Sequence, residues 1–86
     1  MQPTKVKPWP NGLGWDIGSA EIWRLGAEQS VGLEPQEGTY AYGVRTARKG
    51  APHRCLRARL ASPEPTHAEL RCLVARCRVH GRLIED

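Results

Sequence analysis

Six histidines and cysteines stand where metal or nucleophile chemistry would need them in this 86-residue sequence: His53, Cys55, His67, Cys72, Cys77 and His80. A structural zinc site needs four such groups converging as a tetrahedron. Cys77 and His80, three apart, share a face if that segment is helical. His53 and Cys55, two apart, point the same way on a strand. The spacing is nevertheless not a zinc finger's. There is no C-x2-C pair, and Cys72 and Cys77, five apart, diverge around a helix. Cys77 also falls on an apolar helical stripe, whereas His53 and Cys55 fall on the strand face turned away from it. The pattern reads Cys77, and at most Cys72 with it, as small buried hydrophobes. His80 is placed in a last helical turn, where a cation meets the macrodipole. No metal and no cofactor are expected.

Catalysis fares no better. Cys55 has His53 close by, but no glycine-rich or helix-start setting to lower its thiol pKa. No G-x-S-x-G, H-E-x-x-H or P-loop pattern occurs. The Gly12-Leu13-Gly14 triplet has neither a strand before it nor a helix after it. None of the nine acids is paired on one element as a glycosidase requires. The sequence predicts a protein that is not an enzyme.

Charge is the stronger signal. Arg45, Arg48, Lys49, Arg54, Arg57 and Arg59 fall in one fifteen-residue span with no acid among them. The span Asp16–Glu37 carries five acids against Arg24 alone. Further arginines follow at Arg71, Arg76, Arg78 and Arg82. A one-sided positive strip attracts phosphates or a carboxylate-rich surface, and arginine adds bidentate contacts that lysine lacks. The same residues also suit a solvated sheet face, a protected edge, or a strip neutralised by the acidic segment folding back.

The elements that would position these groups are partly legible. Tyr40, Tyr42 and Val44 alternate with Ala41, Gly43 and Arg45, which predicts a strand over 39–46. Leu56, Ala58 and Leu60 alternate with Cys55, Arg57 and Arg59, which predicts a second over 53–61. A turn at Lys49-Gly50 joins them as an antiparallel hairpin. Residues 20–26 read as a third strand in preference to a helix begun at Ser19. Thr66 followed by Glu69 forms a capping box. Leu70, Leu73, Val74 and Cys77 then make one apolar stripe, and Gly81 stops the helix just past its cap.

The fold class is therefore α+β: a small antiparallel sheet of three to four strands over about 20–61, with one C-terminal helix over about 66–80 packed on one face. Leu83 and Ile84 return to the body. Residues 1–19, with three prolines, three glycines, Trp9 and Trp15, read as an irregular N-terminal arm pinned down by its tryptophans. Residues 20–86 form the single α+β domain.

Composition bounds the rest. Apolar residues make up 40% of the chain, enough for a small core, and phenylalanine is absent. No run approaches the roughly 20 apolar residues that span a bilayer, and Met1–Pro10 lacks the apolar stretch of a signal peptide. Three cysteines, an odd set, suggest free thiols and a cytoplasmic protein. Ten arginines against three lysines suit a GC-rich bacterial or phage genome.

The strand–strand–strand–helix order, with Gly50-Ala51-Pro52-His53 before the third strand, resembles the C-terminal part of a double-stranded-RNA-binding domain. Such domains carry lysines at the start of the last helix. Here that position reads Thr66-His67-Ala68-Glu69, and the family's function is not carried over. The expected function is a non-catalytic interaction module whose basic hairpin binds an acidic protein or ribonucleoprotein surface, as a monomer or a dimer. A small phage inhibitor that blocks a nucleoprotein complex in the host cytoplasm, anti-CRISPR-like in size and charge only, is one form of this. Direct DNA or RNA binding, or a metal-stabilised domain, are the alternatives.

Overall fold

The computed structural model describes residues 5–48 and 51–84, leaving out the side chains of Arg48, Ala51, Pro52, Leu83 and Ile84. Six strands follow one another in the sheet in chain order: β1 (Val6–Pro8), β2 (Gly14–Ile17), β3 (Ala20–Arg24), β4 (Tyr40–Arg48), β5 (Ala51–Leu60) and β6 (Arg82–Ile84). Every neighbouring pair is antiparallel. One α-helix among the described residues, α1 (His67–His80), lies between β5 and β6 in sequence and packs across β4 and β5.

The α+β architecture is the expected one, with a larger sheet than three to four strands. Two of the extra strands come from the stretch read as an irregular arm. Pro8 is tolerated because β1 is an edge strand, whose outer side needs no donor. Gly18, at φ +58, opens the two-residue turn between Ile17 and Ala20. Tight hairpin turns need positive φ, and glycine supplies it without strain. The sixth strand is the returning tail, where Cys55 pairs with Arg82 and His53 with Ile84. The hairpin strands run to Arg48 and from Ala51, with a register shift between Thr46 and Arg48.

Alternation divides the sheet into two faces. Ile17, Ala20, Ile22, Tyr42, Val44 and Ala58 point toward the helix and meet Leu70, Leu73, Val74 and Cys77. The predicted helical stripe is thus the buried one. Leu56 and Leu60 pack against this core from β5, and Trp15 joins it with its ring centroid 6.2 Å from that of Tyr42. Cys72, by contrast, is exposed.

The helix begins as its sequence demands. Thr66 Oγ1 accepts from the Glu69 amide at 3.2 Å, and Glu69 Oε1 accepts from the Thr66 amide at 2.9 Å. Such a cap contributes about 1 kcal/mol. At the other end Gly81 is itself the cap, in an extended conformation with φ −61. Its value here is a missing Cβ, which would sit 2.3 Å from the Cys77 carbonyl oxygen.

Candidate functional site

The face of the sheet away from α1 carries the residues with chemistry. The register aligns one row across all six strands: Lys7, Asp16, Glu21, Arg45, Cys55 and Arg82. Within it Arg45 Nη2 donates to Glu21 Oε1 at 2.5 Å. The two side chains are 44% and 38% exposed, so the pair contributes little stability. The next row aligns Gly14, Trp23, Gly43 and Arg57. The glycines alternate with large groups for a steric reason. A Cβ on Gly43 would lie 2.6 Å from Cε2 and Cζ2 of Trp23, and one on Gly14 would lie 2.6 Å from Cε3 of Trp9. Each indole therefore lies against a bare stretch of backbone. Trp9 is fixed there by its Nε1, which donates to Asp16 Oδ1 at 2.7 Å.

Four of the six predicted basic residues have described side chains, and each is engaged within the chain. Arg45 holds Glu21. Arg57 Nη1 donates to the Val31 carbonyl at 2.6 Å and the Gln29 carbonyl at 3.3 Å, tying down the long β3–β4 connection. Arg59 Nη1 donates to Thr39 Oγ1 at 3.3 Å, and its Nε is buried with no partner among the described residues. The acidic segment does fold back over the hairpin, but its contacts to Arg57 run through backbone carbonyls. Arg54 lies on the other face, paired in register with buried Thr46, and donates from Nη1 to the Arg78 carbonyl at the end of α1. Lys49 and the side chain of Arg48 fall outside the described residues.

That Arg54 contact joins two basic segments. The helix runs back along the sheet, so its C-terminal turn arrives beside the start of β5. Arg76, Arg78, His80 and Arg82 are exposed there. The acids Glu28, Glu34 and Glu37 of the β3–β4 connection, with Glu64 and Glu69 at the start of the helix, belong to the other end of the strands. Sequence reading located the hairpin charges but missed the helix end as their neighbour, because a contact 24 residues away leaves no local signal.

Two concavities flank these rows. One, of about 630 Å³, lies on the helix-free face and is lined by Trp23, Leu25, Leu33, Cys55, Arg57 and Arg82, among others. The other, of about 760 Å³, lies on the helix side between the β1–β2 turn and Pro63–Pro65. Its one arginine, Arg24, is opposed by Glu64 and already stands 4.3 Å above the Tyr40 ring. The cysteines do not meet. Cys77 Sγ is buried against the carbonyls of Val44 and Arg54, at 3.8 and 3.4 Å, while Cys55 faces the opposite side. Among the described residues no three metal-ligating side chains come together. Among the described residues no helix is long and apolar enough to cross a membrane. No protein-family model matches the chain, and no curated protein or solved structure matches it either.

Proposed function

We propose that this protein is a non-catalytic interaction module that engages an acidic macromolecular surface with its basic end. That end comprises the start of β5, the last turn of α1 and the start of β6. The observation supporting it is the Arg54 contact to the Arg78 carbonyl. It makes one surface of two basic segments, with Arg76, Arg78 and Arg82 exposed on it. The contact also neutralises helix-end carbonyls, which favour nearby cations. The hairpin strip itself contributes less than its sequence suggests, since Arg45, Arg57 and Arg59 serve internal contacts. The preferred partner is an acidic protein or the protein face of a nucleoprotein complex. A phage inhibitor that occupies such a complex is a special case resting on size and charge alone. The exposed Cys72 thiol suits a reducing compartment, and we take the cytoplasm as the place of action.

The test is fluorescence anisotropy with labelled polyglutamate and a labelled DNA duplex, between about 50 and 200 mM salt. Polyglutamate should bind, and Arg76→Glu with Arg78→Glu should weaken it at least tenfold. Equal binding by the variant removes the basic end from the account. Binding to the duplex alone, with a steep salt dependence, moves the function to direct nucleic-acid recognition.

A further inference from the structure

We infer that the groove on the helix-free face of the sheet is a binding site for an acidic peptide segment of the partner, one that carries an apolar anchor beside its carboxylates. The inference rests on the acidic-partner reading and assigns it a second contact point, on the helix-free face and adjoining the helix end at His80 and Arg82. Three observations carry it.

The floor is built for an apolar group. Trp23 lies against the bare backbone of Gly43, and Leu25 and Leu33 line the same space. A volume of about 630 Å³ falls inside the range of ligand sites. Charge is one-signed, since Arg57 and Arg82 line the groove and no acid does. Finally, Trp23 Nε1 has no hydrogen-bond partner among the described residues, whereas Trp9 Nε1 has Asp16. That N–H is open to solvent, so an acceptor on a bound chain can take the place of water. A peptide carbonyl or carboxylate over the groove supplies one.

The division of labour follows. Arg57 has one arm committed to the Val31 and Gln29 carbonyls, so it holds the wall and lends its charge. Arg82 is exposed at the rim and takes a carboxylate directly. Single-stranded nucleic acid fits less well. Stacking sites for it present successive aromatic platforms along a phosphate-tracking groove, and this groove has one indole between aliphatic walls.

The experiment follows the tryptophan indole N–H resonances of the full 15N-labelled chain as a capped nine-residue peptide of alternating glutamate and leucine is added. Trp23→Phe assigns the Trp23 signal by its loss. Expected are a saturable shift of that signal and binding at least tenfold weaker when glutamine replaces every glutamate. The deciding variant is Gln29→Glu. It keeps the side-chain oxygen that accepts from the Gly26 amide at 3.1 Å, so the fold is retained. It also puts a carboxylate into the groove lining. Arg71→Gln changes net charge by the same one unit on the outer side of the helix. Peptide affinity should fall at least fivefold in Gln29→Glu and less than twofold in Arg71→Gln. Equal losses in the two variants, no shift of the Trp23 signal, or a shift produced by a ten-residue oligothymidine and not by the peptide would each overturn the inference. If polyglutamate still binds through Arg76 and Arg78 while the groove stays silent, only the groove assignment falls.

Discussion

Tyr42 shows how one side chain ties the core to the chain that closes over it. Its ring is fully enclosed, and its hydroxyl donates to the Ser62 carbonyl at 2.7 Å. Burial raises its pKa above the ordinary 10.0, an effect that Arg24 partly opposes and that Glu69 and Tyr40 reinforce. The neutral phenol is therefore the form that the fold prefers. This contribution to stability is complete below pH 10 and is lost as pH rises from there through the folded-state pKa. Tyr42→Phe should cost about 1 kcal/mol at neutral pH through the lost hydrogen bond. It should also flatten the alkaline decline seen by urea denaturation. An unchanged alkaline slope would separate Tyr42 from that decline. Gly43 offers a second single-residue test. Gly43→Val drives a side chain into the Trp23 ring, with an expected loss of about 1–3 kcal/mol and a changed tryptophan emission. Neither glycine of this row was identifiable from sequence as a seat for an indole. The demand comes from the residue across the strand, and register is a property of the pair.

Among the elements, those with short-range rules were legible and those with long-range rules were not. The capping box and the i, i+3, i+4, i+7 stripe of α1 are local, and the structure has both. The same holds for the alternation of β4 and β5. The N-terminal stretch misled because its prolines and glycines serve turns and an edge strand here: Pro8 on the sheet rim, Gly18 in a hairpin turn. Those roles are set by strand pairing and look identical in sequence to an irregular arm. The β3–β4 connection tests the reassigned role of Arg57. If its guanidinium holds Gln29 and Val31, Arg57→Ala should speed hydrogen exchange of the amides at 29–33 about tenfold. Global stability should change by under about 1 kcal/mol, since the contact is exposed. Unaltered exchange in that segment would return Arg57 to the solvent-facing strip.

Across the whole molecule, which measures 36 × 29 × 23 Å, the antiparallel return of α1 decides where charge accumulates. The sequence shows a basic hairpin and a basic helix end as separate features, and only the fold makes them adjacent through Arg54 and Arg78. Their adjacency is the central claim's foundation, and capture from native cells tests it most directly. Wild type and the Arg76→Glu, Arg78→Glu variant would be compared after nuclease treatment, with equal folding shown by circular dichroism. The account predicts that the wild-type chain retains a stoichiometric protein partner after nuclease and that the variant loses it. A partner held equally by both chains, or one released entirely by nuclease, would contradict it.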